Sequence, residues 1–451
     1  MPRRWRYVSV LLLLAVSITL TAGCAATNPT QAAKPLAAEQ MLFQYVNAPD
    51  PTFKWEKGPV KQDAAGSVSD IVLTSQTWRG IVWKHLVRIV KPADVKYKGW
   101  MALYIGGGSG EPQPGRAAGG DDMMAIALAQ AVQAPVATLS HIPNQPLFGG
   151  MTEDEIISHT FQEYQKDGDP TWPLLFPMAK GAVRAMDAIQ EYAKQEWKED
   201  IHSFLVFGGS KRGWTTWLTA AVDGGKRVKA IAPAVIDVLN MRVQIPHQLE
   251  MWGAYSDQIL DYSSKGLTES FDTPRGEVLW KAVDPYTYRQ KTTMPKLLLL
   301  GTNDPYWATD ALNIYWDDLV GPKCVLYAPN SGHGLDDRVR LLNTLSAFYR
   351  TMAANKKMPE ISWTREIEGD TLTLTIKAPE ATSARAWVAM ADNLDFRPQK
   401  WESLDMQGAN GVFSISIKRP ANKNIAAFGE ADFTSDGKPF TLSTQNAIVK
   451  K

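Results

Sequence analysis

Short apolar segments separated by helical or loop stretches recur between residues 41 and 355, and this feature constrains the fold most strongly. Six predicted strands lie at 100–105, 135–139, 204–207, 228–232, 296–300 and 324–327. Leu297 to Leu300 is apolar without alternation, which is typical of a strand covered on both faces. Two earlier segments, 70–74 and 81–90, indicate an antiparallel start. We therefore predict an α/β fold with a doubly wound, mostly parallel sheet.

The pattern changes at about Pro359, where helical periodicity disappears. Thr371 to Ile376 and Val412 to Ile417 alternate between apolar and polar residues, as half-buried antiparallel strands do. A chain of 451 residues is also longer than one hydrophobic core usually serves. We predict two domains: 41–355 with the parallel sheet, and 359–451 as a small antiparallel β-sandwich of immunoglobulin-like size.

The N-terminus has the features of an export signal. Arginines near the start precede an apolar stretch from Val8 to Leu20, and small residues then lead to Cys24. The stretch is short for a membrane span, so it is typical of a signal peptide. The approach to Cys24 resembles a bacterial lipobox, in which the cysteine becomes lipidated. We predict a signal peptide at 1–23, lipidation of Cys24 and a tether at 24–40, with an unlipidated secretory signal as the alternative.

Charge and cysteine content exclude several classes of partner. The formal net charge is +1 without a long basic stripe, so nucleic acid is not expected as a partner. No group of cysteines and histidines has zinc spacing, and we expect neither a metal nor another cofactor. Ala25 stands where an inner-membrane retention signal places aspartate. We therefore expect a protein of the bacterial cell envelope, anchored only by lipid to the outer membrane and facing the periplasm.

A glycine-flanked serine follows the predicted strand 204–207. Gly208 and Gly209 precede Ser210, and a helix follows. A sharp strand-to-helix turn of this kind exposes a serine Oγ as a nucleophile, and the next backbone N–H, that of Lys211, stabilises an oxyanion. The usual pattern has glycine where this chain has Arg212, and here the glycine follows one residue later. An ordinary strand-helix turn is the alternative interpretation.

A candidate acid and a candidate base follow the last two predicted strands. Asp304 comes directly after strand 296–300, and His333 follows the strand that ends near Tyr327. The order serine, aspartate, histidine is that of the α/β-hydrolases. In such a triad the histidine takes the serine proton, and the aspartate orients the imidazole. Asp310 and Asp237 remain alternatives to Asp304 as the acid.

A glycine-rich loop follows the predicted strand 100–105. It runs from Gly106 to Gly110 and includes Gly107 and Gly108, whose backbone N–H groups are candidates for the remaining oxyanion donors. A phosphate-binding loop is the competing interpretation. The loop lacks the lysine and serine spacing of a P-loop, which argues against nucleotide binding.

Ten short segments of the sequence resemble those of a known family. They are Ser75 to Arg79, Pro143 to Pro146, Trp172 to Lys180, Ala185 to Asp187, Gly208 to Trp214, Ile236 to Asn240, Asp284 to Tyr286, Gly301 to Asp304, Asn330 to His333 and Asp395 to Arg397. They resemble the PhoPQ-activated pathogenicity-related proteins, whose form of the elbow has its glycine at the position of Gly213. The resemblance implies an α/β-hydrolase body similar to serine peptidases and esterases, with a sandwich appended.

These features predict an exported serine hydrolase that cleaves an ester or amide (peptide) bond through an acyl-enzyme on Ser210. The partner is then a small-molecule or peptide substrate, and peptidase and carboxylesterase both remain open. A catalytically inactive lipoprotein that uses the hydrolase fold for binding is the alternative function.

Two charged groups bear on the substrate. Glu153, Asp154 and Glu155 are candidates to receive a substrate α-amino group, although a solvated helix start with Thr152 as its N-cap is the favoured interpretation. A cationic group of Arg79, Lys211 and Arg212 would instead favour an acidic acyl group.

Overall fold

A computed structural model describes residues 36–451. The predicted signal peptide, Cys24 and most of the tether lie outside the described residues. The helices are α1 (Ala38–Asn47), α2 (Gly120–Val132), α3 (Glu153–Asp167), α4 (Leu175–Tyr192), α5 (Lys211–Asp223), α6 (Met241–Trp252), α7 (Leu260–Ser263), α8 (Pro274–Val283) and α9 (Arg338–Ala353). Because α1 begins at Ala38, the last residues of the predicted tether are helical.

The strands of the first three quarters of the chain are β1 (Lys54–Asp63), β2 (Gly66–Trp78), β3 (Ile81–Pro92), β4 (Trp100–Ile105), β5 (Val136–Leu139), β6 (Ser203–Gly209), β7 (Val228–Ala234), β8 (Lys296–Gly301) and β9 (Lys323–Ala328). Those of the last quarter are β10 (Ser362–Glu368), β11 (Thr371–Lys377), β12 (Ser383–Ala391), β13 (Glu402–Asp405), β14 (Gln407–Ala409), β15 (Val412–Lys418), β16 (Asn424–Ser435), β17 (Lys438–Ser443) and β18 (Ala447–Val449).

The central sheet has the order β1-β2-β3-β5-β4-β6-β7-β8-β9. β1 to β3 are antiparallel, and β4 to β9 pair in parallel. The exchanged order of β4 and β5, with the strands that precede Ser210, Asp304 and His333 in sequence beyond them, is that of the α/β-hydrolase fold. The predicted fold class is confirmed, and β4 has the predicted bounds.

Helices cover both faces of this sheet, which explains why its strands are continuously apolar. Along β6, Phe204 and Val206 pack into the core that contains α4, whereas Leu205 and Phe207 pack into the core that contains α9. Burial of each such side chain contributes about 1.5–3 kcal/mol. Every residue of the strand therefore favours the sheet, and no polar face remains.

The C-terminal strands form two facing sheets. β10, β11, β15 and β14 make one of them, while β12, β13, β16 and β17 belong to the other. The sheets approach closely at Gly429, where a Cβ atom would lie 2.5 Å from the Cδ1 of Ile376. The predicted antiparallel strands are thus present.

One feature goes beyond the prediction, because the second of these sheets continues the central sheet. β17 pairs with β9 at Ser443 and Val325, and the N–H of Tyr327 donates to the Ser443 Oγ at 3.0 Å. The proposed boundary between 355 and 359 falls in the connection from α9 to β10. The division into two domains stays a prediction, since the two parts share a sheet.

Two insertions lie at the carboxyl end of the parallel strands. The first includes α3, and the second, between β7 and β8, includes α6, α7 and α8. Asp154 of the first and Met241 and Trp280 of the second line a cavity at Ser210. Both insertions therefore help to enclose the candidate site. No helix within residues 36–451 is long and apolar enough to cross a membrane.

Candidate active site

Ser210 occupies a strained turn between β6 and α5. Its backbone has φ 57° and ψ −129°, a conformation that a residue with a side chain adopts at a cost of about 1–3 kcal/mol. The Ser210 N–H donates to the carbonyl of Ala234 at 2.8 Å, and its carbonyl accepts from Trp214 at 2.9 Å. The turn is thus held by β7 on one side and by the first turn of α5 on the other.

Two glycines allow the strand and the helix of the elbow to approach. A Cβ on Gly213 would lie 2.8 Å from the carbonyl oxygen of Ala234, and one on Gly208 would lie 2.9 Å from the carbonyl oxygen of Arg212. A Cβ on Gly209 would meet only Val235, at 3.8 Å. The close approach therefore falls on Gly213 rather than on position 212, which explains how Arg212 is accommodated there.

The candidate base and acid are directly paired. His333 Nδ1 lies 2.8 Å from Asp304 Oδ2 and 3.0 Å from Oδ1. Asp304 is buried, and its Oδ1 also accepts the N–H of Tyr306 at 2.9 Å. With Nδ1 donating to the carboxylate, Nε2 is the atom left to accept a proton. Within residues 36–451 this buried Nε2 has no hydrogen-bond partner.

Ser210 and His333 line one cleft between α2 and α9, which we call the open cleft. Among the described residues no hydrogen bond joins the Ser210 Oγ to the His333 Nε2. Catalytic hydrogen bonds often tighten only when substrate is bound. The structure thus brings the predicted nucleophile, base and acid to one place without closing the last contact.

The two alternative acids have other partners. Asp310 Oδ1 lies 2.8 Å from Nε2 of His247. Asp237 accepts the hydroxyl of Tyr315 at 2.7 Å, and burial raises the pKa of Asp237 to about 7. His333 therefore faces Asp304 and neither alternative.

The predicted oxyanion donors come from two elements. Lys211 begins α5, where its N–H lies at the positive end of the helix dipole. Gly107 and Gly108 line a cavity beside the open cleft, and Gly120 borders both. A Cβ on Gly107 would lie 2.6 Å from an Arg212 nitrogen, so the guanidinium packs directly against the loop.

The charged residues around the elbow neutralise one another. Lys211 Nζ lies 2.8 Å from Glu153 and 3.0 Å from Asp154. Arg212 binds both carboxylate oxygens of Glu153 at 2.7 Å and donates from Nε to the carbonyl of Ile142 at 2.7 Å. Burial raises the pKa of Glu153, but hydrogen bonds and charge from Arg212 and Lys211 outweigh it and hold that pKa at about 2.

This pairing bears on both hypotheses about substrate charge, although Glu155 lies exposed outside it. Glu153 and Asp154 are already bound to cations, so neither offers a free carboxylate for an α-amino group. Lys211 and Arg212 are equally occupied by carboxylates. Arg79 lies elsewhere, paired with Asp169 at 2.9 Å.

The most buried histidine has a structural role. His85 Nε2 is 2.8 Å from the Ser75 Oγ, and its Nδ1 is 3.0 Å from the carbonyl oxygen of His141. Burial and the neighbouring His141 lower the pKa of His85 to about 3, which keeps it neutral. In the described part of the chain no three histidine, cysteine or acidic residues converge as a metal site would require.

Sequence reasoning missed two aromatic residues beside the triad. The ring of Tyr306 lies against the His333 imidazole, with centroids 4.1 Å apart. Trp307 lines the cavity next to Ser210 and donates from Nε1 to the carbonyl of Val235 at 3.3 Å. Their position just after Asp304 could have identified them, because residues that follow an acid at the end of a strand lie at the site.

The family of the chain follows from comparison with known proteins. A family model described as PhoPQ-activated pathogenicity-related protein matches residues 42–397. The chain belongs to this family. The predicted resemblance is thereby confirmed, and the stretch that matches the PhoPQ-activated pathogenicity-related proteins contains Ser210, Asp304, His333 and the glycine loop.

The chain is also similar to a curated protein, autocrine proliferation repressor protein A of Dictyostelium discoideum. The two are 30% identical over 432 residues, which cover 87% of this chain and 85% of the relative. Among solved structures, an acetyl xylan esterase from Paenibacillus is 14% identical with a TM-score of 0.46, covering 68% of this chain and 91% of that one. An acetyl xylan esterase from Thermoanaerobacterium is 15% identical with a TM-score of 0.44, covering 66% and 89%.

Proposed function

We propose that the protein is an exported serine hydrolase that cleaves an ester or amide bond through Ser210, His333 and Asp304. One arrangement carries the proposal. Ser210 stands at a strained elbow and shares the open cleft with His333, whose Nδ1 is paired with Asp304. Backbone strain of this kind persists where the surrounding structure imposes it, and it clusters at functional sites.

Acylation uses each of these groups in turn. The Ser210 Oγ adds to the substrate carbonyl carbon while its proton passes to Nε2 of His333, and Asp304 stabilises the resulting imidazolium. The N–H of Lys211, together with N–H groups of the loop at Gly107 and Gly108, stabilises the oxyanion. The intermediate then expels an alcohol or amine, which takes the proton from Nε2 and leaves the acyl group on Ser210.

Deacylation repeats the sequence with water. His333 removes a proton from water as it adds to the acyl carbonyl, and the second intermediate expels the Ser210 oxygen. That oxygen recovers the proton from Nε2, and the carboxylic acid is released. Since no step needs a further reactant, the three side chains and the oxyanion donors suffice.

Covalent labelling with a fluorophosphonate probe tests the assignment of the nucleophile. We expect labelling of the wild-type chain and its complete loss in Ser210→Ala. Ser109→Ala is the matched control, because Ser109 is an exposed serine of the neighbouring glycine loop. Labelling that survives in Ser210→Ala, with both variants folded by circular dichroism, would contradict the proposal.

A substrate screen then separates the classes of bond. Chromogenic esters and aminoacyl anilides should be tested with the same preparations. Turnover of anilides identifies a peptidase, and turnover of esters alone identifies a carboxylesterase. A folded chain with neither labelling nor turnover would instead favour the binding function of a hydrolase-fold lipoprotein.

Export and lipidation at Cys24 are a separate part of the proposal, and they rest on the sequence of the leader. The proposed location is the bacterial outer membrane, facing the periplasm. Metabolic labelling with a fatty acid analogue should label the wild-type chain and not Cys24→Ser. Cys324→Ser is the control, because Cys324 is the other cysteine and lies in β9. Unchanged labelling in Cys24→Ser would exclude this cysteine as the lipid site.

A further inference from the structure

Two cavities meet at Ser210. The first is the open cleft, which His333 and the exposed Val339 line. The second, which we call the aromatic cavity, is lined by residues that include Trp214 and Trp280. A substrate bound covalently to Ser210 can place one part in each cavity.

Tyr306 stands between the two cavities. It lines the aromatic cavity, and its ring lies against the imidazole of His333. His333 itself lines the open cleft. The proton carrier of the reaction therefore lies on the open-cleft side of Tyr306.

The position of His333 decides which part of the substrate enters which cavity. The leaving alcohol or amine must take its proton from Nε2, so it must lie on the side of His333. The acyl group extends from the same carbonyl carbon in another direction. Of the two cavities that border Ser210, the aromatic cavity is the one left for it.

The walls of the aromatic cavity are almost entirely apolar. Besides the tryptophans they include Ile236, Val238 and Ile245. Among the described residues that line it, Asp154 supplies the one carboxylate, which accepts the hydroxyl of Tyr262 at 2.9 Å and pairs at 3.0 Å with Lys211, the cation of the lining. With that charge neutralised, the cavity offers burial of apolar surface and little to hold a charged group.

We propose that the aromatic cavity binds the acyl part of the substrate, and that this part is an uncharged apolar group larger than acetyl, either aromatic or branched. The inference rests on the proposed function and adds its substrate class. Each methylene buried in such a cavity improves binding roughly fourfold. An acetyl group has no methylene to bury in the aromatic cavity, so it does not gain this improvement in binding.

A series of p-nitrophenyl esters with one leaving group tests the proposal on the full chain. The acyl groups are acetyl, isovaleryl, phenylacetyl and hemisuccinyl. We expect kcat/KM at least tenfold higher for isovaleryl and phenylacetyl than for acetyl, and no gain for hemisuccinyl. A preference for acetyl would overturn the inference, and so would a preference for hemisuccinyl, which would show that Lys211 or Arg212 receives a charge.

A pair of variants locates the preference in the aromatic cavity. Val238→Phe fills the cavity, so the ratio of phenylacetyl to acetyl kcat/KM should fall at least tenfold. Val243→Phe makes the same change on the exposed side of α6, outside the cavity, and should leave that ratio within twofold of wild type. Equal ratios in the two folded variants would overturn the inference.

Boronic acids provide a measurement that needs no variant. Benzylboronic acid should inhibit probe labelling of the wild-type chain at a concentration at least tenfold lower than methylboronic acid does, and equal potency would overturn the inference. The two proposals fail in different ways. Labelling at Ser210 with a preference for acetyl removes only the substrate class, whereas a folded chain with neither labelling nor turnover removes the proposed function and this inference with it.

Discussion

His333 presents its Nδ1 to both carboxylate oxygens of Asp304, at 2.8 and 3.0 Å. In Asp304→Asn the amide favours the wrong imidazole tautomer, so we expect kcat to fall by roughly 10⁴-fold. Steady-state kinetics on the best substrate of the screen measures the loss. Asp310→Asn is the matched control, since Asp310 is paired with His247, and it should retain most activity. The reverse ranking of the two variants would move the acid to Asp310.

The elbow glycines give a prediction about stability. Gly213→Ala places a methyl group 2.8 Å from the carbonyl of Ala234, and we expect it to lower the free energy of unfolding by about 1–3 kcal/mol. Gly209→Ala meets only Val235, at 3.8 Å, and should be nearly neutral. Urea denaturation measures both. Equal stability of the two variants would show that the chain at Gly213 relaxes without cost.

Arg212 is expected to act as a positioning residue for the oxyanion loop. Arg212→Lys loses the bidentate ion pair with Glu153 and the packing against Gly107. We therefore expect kcat to fall about tenfold while KM changes little. Arg227→Lys is the control, because Arg227 also binds carboxylates, those of Asp187 and Asp223, away from the site. It should lose stability without losing kcat. A similar kcat in both variants would contradict the positioning role.

Asp237 predicts how stability depends on pH. Burial raises the pKa of Asp237 in the folded state to about 7, above its usual value of 3.8, so the folded chain holds a proton that the unfolded chain releases. The contribution of this group is therefore complete below about pH 4 and is lost as pH rises to 7, on the order of a few kcal/mol. Asp237→Asn removes this loss.

Urea denaturation at pH 5 and pH 8 measures the effect of Asp237. Relative to wild type, Asp237→Asn should be more stable at pH 8 than at pH 5. Asp405→Asn, which changes an exposed carboxylate of β13, should show no such difference. If the stabilities of the wild-type chain and of Asp237→Asn change by the same amount between pH 5 and pH 8, the assignment is contradicted.

Local sequence predicted the central strands and the positions of the candidate triad residues because each has a local cause. Strands buried on both faces must be apolar, and Ser210, Asp304 and His333 each follow such a strand directly. β1 was missed because it is a largely exposed edge strand rich in charge, so it has no apolar run to detect. Its pairing with β2 supplies what its composition does not.

Long-range contacts account for what the sequence did not predict. Arg212 and Glu153 are 59 residues apart, and nothing at either position indicates the other. From the sequence, the cationic and acidic groups are therefore interpreted as two separate binding features. Likewise, β17 pairs with β9 although more than a hundred residues separate them in the sequence. No local pattern indicates that an alternating strand will extend a parallel sheet.

The pairing of β17 with β9 has a consequence for truncated chains. β9 ends the parallel sheet, and β17 pairs with its edge at Ser443 and Val325. An uncovered strand edge is a template for pairing with other molecules. A premature stop codon between β16 and β17 would spare Ser210, Asp304 and His333. We expect such a gene product to aggregate nonetheless, although every residue of the candidate triad is encoded in it.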